Sequence, residues 1–583
     1  MMSVETPVLI VGAGPAGLTT ALALTEYGVD HLLIERHFGT AHTPRAHIVN
    51  QRTTEIMRHL GVEEELKAVS SPHEALRHSV WYTTLNRPEL ARRECWGTER
   101  FQYAQYTAAS PCPLLNCPQT RFEPMLVEGL DARGSHVRFG HEFVAMKKDG
   151  DVWVSTVRDR GDGSLYEVRS EYVVGADGAR AQVLGDLGLD VEGQAGLFHA
   201  ANIWFRADLT KYFAHRHGVL MWNVHPGPQP PLGLGTFICT DPFKEFVLVR
   251  FYDPAKEDLT QLSKDEAVSY IESAVGEPVE DVEILGVAGW QVNAQVAPVY
   301  GRDGAYCAGD AVHRHPPTNG LGLNMSVADG FNLAWKLALV HRGLAGPGLL
   351  DTYSTERQPV GAAGVARAIT SLQDAAAFRE AVGLAEGMTE EEGWRALDVL
   401  NDPTPEGDER RAALRKVLDH TDYRYNALGL EVGYQYETGA LVPDEPPRPR
   451  QGGDPVLDYE RTTRPGARVP HARLERDGVP LSSLDLVEGL RFSLMVGLDS
   501  DHWTDAAEAV GAALGVEIAV HRIGGDGILD PYFEWADSRE VGHDGAVLVR
   551  PDRHVAWRST SKPEEPAAAL ERAMRAVLHR QDA

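Results

Sequence analysis

The chain is poor in cysteine. Its 583 residues include only five, and they stand apart from one another: Cys95, Cys112, Cys117, Cys239 and Cys307. So few and so scattered cysteines argue against a disulfide framework. Cys112 and Cys117 flank a proline-containing turn, but no histidine or second cysteine pair completes a zinc site. We therefore expect neither a structural metal nor a disulfide-built domain.

Long apolar runs and basic charge are also scarce. No stretch of about 18 apolar residues occurs, and the first residues, MMSVETP, form no basic or apolar leader. The 56 basic residues face 84 acidic ones, which gives a net charge of −28. Such a surface repels nucleic acid and anionic membranes. We expect a cytoplasmic protein that binds neither, and we interpret its acidity as serving solubility.

A glycine-rich turn follows an apolar run in residues 8–17, VLIVGAGPAG. The spacing of its three glycines predicts a dinucleotide-binding turn, with a tight bend, a close approach to pyrophosphate and close packing of the next helix. The N-terminus of that helix favours phosphate. A second apolar strand, HLLIER, ends on an acid about 20 residues later, where a ribose-binding acid belongs. The residues predicted to bind the cofactor here are Gly12, Gly14, Pro15, Ala16, Gly17, Glu35 and Arg36.

The chain is too long for one core, so several domains are expected. Strand and helix patterns alternate up to about residue 185, longer strand patterns follow, and the nucleotide-domain pattern returns at AYCAGDAV. A proline-rich stretch, VPDEPPRPRQGGDP, predicts a linker before a terminal α/β segment. The predicted division is a discontinuous nucleotide-binding domain (1–75, 106–185 and 291–400), a sheet domain (76–105 and 186–290), a helical connection and linker (401–455) and a terminal domain (456–583).

Three further segments follow this turn along the chain. They are CPQTRFEPML, EYVVGADGARAQV and GRDGAYCAGDAVHRHPPTNGLGLNMSVADGFNLAWKL. Together they resemble the class A flavoprotein aromatic hydroxylases over roughly residues 6–365. The stretch TPRAHIVNQRTTEIMRHLGV narrows the resemblance to phenol hydroxylases of the 2,4-dichlorophenol 6-monooxygenase type. The implied fold is α/β: a Rossmann-type FAD-binding domain interrupted by a mixed β-sheet substrate domain.

The C-terminal pattern, from RPGARVPHARL to VRPDRHVAWR, is similar to the thioredoxin-like α/β domain of those enzymes. No cysteine lies beyond Cys307, so this domain cannot exchange thiols and disulfides. We expect it to serve packing or subunit assembly, and we expect a homo-oligomer, a dimer or higher.

The resemblance implies tightly but non-covalently bound FAD. It places the Asp310 carboxylate at the ribityl chain, although a helix N-cap role fits the same spacing. It also implies that backbone N–H groups at the start of the following helix stabilise negative charge on the reduced flavin. Arg45 and Gln119 match cofactor-contacting positions, although either alone reads as a surface residue. The cofactor residues implied in these later segments are Arg45, Gln119, Asp177, Arg180, Gly309, Asp310, Gly322, Leu323 and Asn324.

On the substrate side, His47 matches the group that deprotonates the phenol, and a histidine can accept a proton near neutral pH. The alternative is a loop histidine bonded to backbone. Arg250 and Tyr252 lie two apart, hence on one face of a strand, and match residues that line the pocket. An ordinary strand could instead turn them to solvent. Pro317 matches a proline between flavin and substrate, whereas His313 and His315 are expected to be structural.

The predicted function is therefore an FAD-dependent monooxygenase that hydroxylates a phenol-type ring. In the family, O2 adds at flavin C4a and the resulting hydroperoxide transfers oxygen to the ring, after NADPH or NADH has reduced the flavin transiently. No second nucleotide fingerprint appears, and NADPH is the preferred expectation. One alternative is a tailoring hydroxylase of an aromatic natural product, such as a hydroxypyridine of the piericidin type. Another is a non-hydroxylating flavoprotein or an FAD-binding scaffold. The substrate, the oligomeric state and the role of the terminal domain stay open.

Overall fold

The computed structural model of the protein describes residues 3–227, 235–445, 447, 452–525 and 527–580. The strands in this part are β1 (Ser3–Val11), β2 (His31–Glu35), β3 (Ile48–Val49), β4 (His78–Tyr82), β5 (Ala91–Glu94), β6 (Leu115–Asn116), β7 (Val137–Phe139), β8 (His141–Asp149), β9 (Val152–Asp159), β10 (Leu165–Gly175), β11 (Glu192–Arg206), β12 (Leu220–Asn223), β13 (Thr236–Asp241), β14 (Glu245–Tyr252), β15 (Glu283–Val296), β16 (Gly301–Arg302), β17 (Ala305–Cys307), β18 (His313–Arg314), β19 (Arg473–Arg476), β20 (Val479–Ser482), β21 (Phe492–Val496), β22 (Ile518–Arg522), β23 (Ala546–Val549) and β24 (Val555–Ser559).

The α-helices follow the same numbering along the chain. They are α1 (Pro15–Glu26), α2 (Gln51–His59), α3 (Glu63–Val69), α4 (Arg100–Ala109), α5 (Gln119–Asp131), α6 (Gln182–Asp186), α7 (Thr210–Phe213), α8 (Lys264–Val275), α9 (Gly322–His341), α10 (Gly348–Ala381), α11 (Glu390–Asp398), α12 (Pro405–His420), α13 (Asp422–Tyr425), α14 (Leu428–Glu431), α15 (Asp501–Leu514), α16 (Glu534–Ser538) and α17 (Pro566–Val577). None of the described helices is both long enough and apolar enough to cross a bilayer.

The first sheet runs in the order β16-β17-β10-β1-β2-β7, with β9 on β10 and β8 on β9. Strand β1 lies parallel to both β10 and β2. Its run VLIV is fully buried, because a central parallel strand is covered on both faces. Helices α1 and α9 pack together beside it, and the α/β fold class is confirmed.

The second sheet runs in the order β18-β15-β11-β14-β13-β12-β4-β5. The chain leaves the first sheet after β10, builds β11 to β15, and returns at β16 and β17. Helix α8 begins with a capping box between Ser263 and Glu266 and buries Ile271 and Ala274 against one face of this sheet. Strands β4 and β5 join it from residues 78–94, while the exact domain limits stay a prediction.

The third sheet runs in the order β22-β21-β23-β24 near the C-terminus. Helix α17 buries Leu570, Met574 and Val577, as its 3–4 spacing predicts. The stretches LRFSLMVGLD, GVEIAVHRIG and GAVLVRPDRHVAWR form β21 to β24 of the expected α/β segment. Residues 446 and 448–451 of the predicted linker lie outside the described residues.

A buried set of charges joins the C-terminal segment to helices α2, α9 and α10. We call it the ion junction, and it consists of Arg52, Glu55, Lys336, Glu356, Arg468, Arg550, Asp552 and Arg553, each at most 4% exposed. Its first half is centred on Glu55 of α2. The Glu55 carboxylate accepts from Arg468 at 3.0 Å and from Arg52 at 3.3 Å, and its backbone carbonyl accepts from Arg553 at 2.8 Å.

The second half of the ion junction is centred on Glu356 of α10. Its carboxylate accepts from Lys336 at 2.8 Å and from Arg550 at 2.6 Å, while Arg550 also binds Asp552. Burial raises the pKa of Glu356, but the Arg550 and Lys336 cations bring it down to about 2. For Lys336, burial disfavours the cation and lowers the pKa to about 8, although the Glu356 carboxylate acts in the opposite direction. Each charge therefore depends on partners from distant parts of the chain.

Replacing one partner tests how strongly the ion junction stabilises the fold. Arg468→Met leaves the buried Glu55 carboxylate short of a cation, and we expect a loss of roughly 3–5 kcal/mol in the free energy of unfolding. Urea denaturation followed by circular dichroism measures it. Arg473→Met removes an exposed pair with Glu534 and serves as the matched control, with an expected loss below about 1 kcal/mol. Equal losses in the two variants would contradict the prediction.

Candidate active site

The glycine turn after β1 is built from close backbone contacts. Gly12 has φ +103°, and a Cβ there would lie 2.2 Å from the carbonyl oxygen of Ala176. A Cβ on Gly17 would lie 1.9 Å from the carbonyl oxygen of Gly12. A Cβ on Gly14, by contrast, would meet no atom within 4 Å. Two glycines are therefore needed by the protein itself, and Gly14 opens onto free space.

Helix α1 presents its N-terminus to that space. Pro15 occupies its first turn, where a missing N–H is harmless, and no side chain caps the end. Ala16 is buried behind it. The free N–H groups and the positive end of the helix dipole suit an anionic ligand such as a pyrophosphate.

Acidic and basic side chains gather where β2 and β10 end. The Glu35 carboxylate accepts from the backbone N–H of Ala13 and of His37, both at 2.9 Å. Burial and the nearby Arg180 guanidinium lower the pKa of Arg36. Arg180 itself is exposed and lies 3.6 Å from Glu142. This edge thus offers one acid that is already fixed and two arginines close together.

Asp177 follows β10 and caps the next helix. Its Oδ2 accepts from the backbone N–H of Gln182 at 2.6 Å and of Val183 at 3.1 Å. Its Oδ1 is buried and finds no partner among the described residues. Burial raises the pKa of this carboxyl group despite the backbone bonds. Oδ2 of Asp177 therefore serves the fold, and Oδ1 is available to accept a hydrogen bond from a ligand.

Asp310 lies in a turn (309–311) between β17 and β18, and its side chain is exposed. A residue that sequence reasoning missed fixes this turn: Asp329 of α9 accepts from the N–H of Gly309 at 3.0 Å, from Arg357 at 2.8 Å and from His313 at 2.7 Å. His313 is thereby structural, as predicted. His315 bonds the carbonyl of Pro316 at 2.8 Å.

Helix α9 begins at Gly322, and no side chain caps it. The side chain of Asn324 is used within the protein: Oδ1 accepts from Asn50 N–H at 2.9 Å and from the Thr53 hydroxyl at 2.7 Å. Its Nδ2 donates to the carbonyls of Ile48 and Gly320. Leu323 is buried. Asn324 therefore holds the segment after His47 against the start of α9. The groups left to bind a ligand at this helix start are its backbone N–H groups.

Gln119, at the start of α5, contacts the segment that carries Arg45 and His47. The backbone N–H of Gln119 donates to the carbonyl of Ala46 at 2.9 Å, and its side chain donates to Glu123 at 2.6 Å. Glu123, also unnoticed in the sequence, accepts from Ala41 N–H at 2.6 Å. Burial raises the pKa of Glu123, and Arg45 opposes that shift. Arg45 is exposed, and its side chain has no hydrogen bond or ion pair within the described residues.

His47 is buried, and its Nδ1 lies 3.0 Å from Oδ1 of Asn116. The amide of Asn116 is fixed, because its Nδ2 donates to the carbonyl of Cys239 at 3.0 Å. Nδ1 of His47 therefore carries the proton, and Nε2 is the acceptor. Burial lowers the pKa of His47 to about 4, with the Asn116 bond acting the other way. The expectation of titration near neutrality is corrected: His47 is neutral throughout that range.

The second sheet turns different residues to its two faces. Asn202 of β11 donates to the carbonyl of Pro44 at 3.3 Å and accepts from the Trp290 indole at 2.8 Å, so this face meets the His47 segment. We call it the inner face. Opposite residues of paired strands share a face, so Val249 and Phe251 also belong to it.

Arg250 and Tyr252 share a face of β14, as expected, but it is the outer one. They pair with Ala201 and His199 of β11, and the Arg250 guanidinium lies 3.9 Å from the ring centroid of Tyr270 on α8. The structure therefore does not bring them to His47. The alternating pattern of β14 shows that these two residues share a face but not which face it is. The pairing with β11 shows that it is the outer one. Pro317 is exposed in the turn 317–319, directly before α9.

These features fit FAD. The space above Gly14, the uncapped starts of α1 and α9, the exposed Asp310 and the arginines beside Glu35 surround one region at the strand ends of the first sheet. Beyond it lies an aromatic wall on the inner face, where the ring centroids of Phe251 and Trp290 are 6.1 Å apart. The region can hold a dinucleotide on the first sheet and an aromatic ring against the second.

Comparison with known proteins agrees with this geometry. The model of an FAD binding domain matches residues 5–368, and that of the aromatic-ring hydroxylase C-terminal region matches residues 462–580. The 2,4-dichlorophenol 6-monooxygenase of Delftia acidovorans is 41% identical over 577 residues, covering 99% of this chain and 98% of the relative. The phenol 2-monooxygenase of Pseudomonas sp. (strain EST1001) is 38% identical, covering 97% and 92%.

Two solved structures show the same fold. The flavin-dependent monooxygenase PieE in complex with FAD and substrate superposes with a TM-score of 0.96 at 46% identity, with complete coverage of both chains. A ternary complex of aklavinone-11 hydroxylase with FAD and aklavinone gives a TM-score of 0.80 at 29% identity, again over both whole chains.

Two substitutions in the glycine turn distinguish its role in folding from its role in cofactor binding. Gly14→Val places its side chain in free space, so we expect unchanged unfolding but FAD binding weaker by about tenfold or more, through steric exclusion of the pyrophosphate. Gly17→Val is the counterpart and should destabilise the protein, because its Cβ overlaps the Gly12 carbonyl. Thermal unfolding of the FAD-free proteins and flavin fluorescence titration measure the two effects. Unchanged FAD affinity in Gly14→Val would remove this turn from the site.

Proposed function

Since the chain belongs to the FAD-dependent aromatic-ring hydroxylases, we propose that it hydroxylates a phenol-type ring bound between the first sheet and the inner face of the second. The observation that carries this proposal is His47, which Asn116 holds as a neutral hydrogen-bond acceptor on the segment that Asn202 joins to Trp290 of the aromatic wall. When bound and reduced, FAD supplies the activation of O2. The residues of the chain bind and orient the two molecules and exclude water.

We propose that His47 positions the ring through its hydroxyl group. With its proton on Nδ1, the imidazole accepts the phenol proton or its hydrogen bond at Nε2. A pKa of about 4 makes it a weak base, so the transfer is favourable only in concert with attack by the ring, when the phenol becomes more acidic. Asn116 is then a positioning residue that keeps Nε2 in its acceptor state.

The cofactor roles of the glycine turn, Glu35, Arg36, Arg45, Gln119, Asp177, Arg180, Gly309, Asp310 and the start of α9 remain proposals of the same kind. Their shared support is position: they border one region, and neither Asp310 nor Arg45 has a side-chain ion pair among the described residues that would occupy it. At the start of α9, the backbone N–H groups of Gly322 and Leu323 are the proposed stabilisers of negative charge on the flavin.

We propose NADPH, in preference to NADH, as the transient reductant, and assembly as a homo-oligomer. Support for assembly comes from apolar side chains left exposed on the terminal segment, including Tyr532 and Phe533 at 59% and 69%. A natural-product ring remains the second candidate substrate, because PieE is the more similar of the two superposed structures.

A direct assay tests the hydroxylase function. The FAD-loaded protein is given NADPH or NADH with a panel of phenols and hydroxypyridines, and both reductant consumption and hydroxylated product are measured. We expect faster NADPH oxidation with an accepted substrate, and one product molecule for each NADPH. Oxidation that yields only hydrogen peroxide with every compound would reject hydroxylation, and faster turnover with NADH would reverse the proposed preference.

The His47 role has its own pH signature. His47→Ala should still bind FAD and accept electrons from NADPH, but hydroxylation should fall by about 10²–10⁴-fold, the usual contribution of one general base. Because the His47 pKa is lowered to about 4, the imidazole is neutral from pH 6 to 9, and the parent should lose this contribution only as the pH falls towards 4. The deficit of the variant should shrink at high pH, where solvent supplies phenolate.

Stopped-flow hydroxylation rates from pH 4 to 9 measure this signature. His42→Ala, an exposed histidine five residues away, is the matched control and should behave like the parent. A parent-like rate in His47→Ala over the whole range would assign the proton to water.

A further inference from the structure

A cavity lies between β12, the C-terminal half of α10 and α12, and Trp222 of β12 shares the inner face with Val249 through Thr236. Its volume is about 770 Å³. That is within the range of about 300–1,000 Å³ typical of small-molecule sites. Its floor is aromatic: Trp81, Trp222 and Phe378 line it, with Trp81 and Phe378 stacked at 5.1 Å between ring centroids. None of the predicted cofactor residues lines it, and neither does His47.

Arginines with unused donors line the same cavity. Arg424 is 6% exposed, and its guanidinium lies 5.3 Å from the ring centroid of Trp222. One nitrogen donates to the carbonyl of Ser371, but Nε is buried and has no hydrogen-bond acceptor among the described residues. Arg379 reaches only the carbonyl of His225, at 3.2 Å. A buried donor without a partner is uncommon in native proteins, and Nε of Arg424 belongs to a side chain that lines the cavity.

The other charged side chains that line the cavity are Arg410, Lys416 and four acids, and Nη1 of Arg410 is also buried without an acceptor among the described residues. Glu380, Glu406 and Glu409 are exposed to solvent, and Asp374 is paired with Arg367 at 2.9 Å and with His420 at 3.1 Å. These acids therefore do not neutralise Arg424. The interior offers an aromatic floor and an arginine donor, which together suit a planar ring with an oxygen acceptor.

The cavity shares a wall with the proposed substrate position. Arg424 lies on α13, and the carbonyl of the preceding Tyr423 accepts from the side chain of Asn319 at 2.9 Å. Asn319 belongs to the turn that contains Pro317, directly before α9. A single layer of backbone thus separates Arg424 from that turn.

We propose that this cavity binds a planar aromatic group that carries a carboxylate or carbonyl oxygen, with the ring beside Trp222 and Phe378 and the oxygen on the guanidinium of Arg424. Such a group is either the non-reacting end of an extended substrate or a separate molecule. The first source rests on the proposed hydroxylase function, whereas the binding site itself does not.

Calorimetric titration of the FAD-loaded protein with 2-naphthoate tests the site. Ala375 lines the cavity on α10, whereas its neighbour Ala376 is exposed and does not. Ala375→Trp fills the space and should weaken binding at least tenfold, while Ala376→Trp should bind like the parent. Arg424→Gln should weaken binding by about tenfold or more, the usual effect of losing a charge-assisted hydrogen bond.

Ala375→Trp removes no hydrogen bond, so it remains informative if Arg424→Gln fails to fold. No binding of 2-naphthoate by the parent would overturn the proposal. So would equal affinities of the two tryptophan variants.

Kinetics distinguish the two sources. If the cavity holds the end of a substrate, Ala375→Trp raises KM for phenols that bear an aromatic carboxylate substituent and leaves phenol itself unaffected. If it holds a separate molecule, 2-naphthoate changes the kinetics of phenol in the parent but not in Ala375→Trp. Binding by calorimetry without hydroxylation of any phenol would reject the proposed function and leave the site standing. A calorimetric signal with neither kinetic response would reject both sources.

Discussion

The structure depends on the neutralisation of charges that have been removed from water. Three carboxylates, Glu55, Glu356 and Asp552, are buried together with Arg468, Arg550 and their neighbours. None of these side chains is exposed to solvent. Burying a carboxylate without a partner costs several kcal/mol, so the ion junction is favourable only when both sides are present. The terminal segment therefore acts as part of the interior of the protein, although no cofactor residue was predicted in it. Its lack of cysteine leaves it without redox chemistry of its own and does not make it dispensable.

The ion junction reaches the site through two helices. Glu55 lies on α2, whose first residues follow the segment that carries His47, and Lys336 lies on α9, whose N-terminus begins at Gly322. Asn324 joins these two helix starts by three hydrogen bonds, to Ile48, Asn50 and Thr53. A displacement of either helix would move the histidine and the helix N-terminus relative to each other. The physical connection thus runs from paired charges to helix positions, and from helix positions to the spacing between the His47 imidazole and the start of α9.

The sequence was most informative where chemistry constrains the backbone. The glycine spacing predicted a turn whose close contacts at Gly12 and Gly17 are observed, and the alternation of patterns predicted a first sheet interrupted by a second. The sequence was less informative about the face to which the side chains of a strand point. A strand has two faces, so the placement of Arg250 and Tyr252 depended on pairing with β11 that no local pattern reveals. The acidity of His47 likewise depends on burial. Asn116, Asp329 and Asn202 were missed because single polar residues become meaningful only through partners far along the chain.

The distance between those partners has a consequence for how the protein is made. Arg52 donates to the carbonyl of Asp552, 500 residues further on. At about 5–20 residues per second, ribosomal synthesis of that interval takes roughly 25–100 s. During this time the nascent chain carries Glu55 and Arg52 with their final partners still unmade, so the first sheet can form while the region around α2 waits. Completion of the ion junction therefore waits until Asp552 and Arg553 have been synthesised, long after the residues of the first sheet are available to fold.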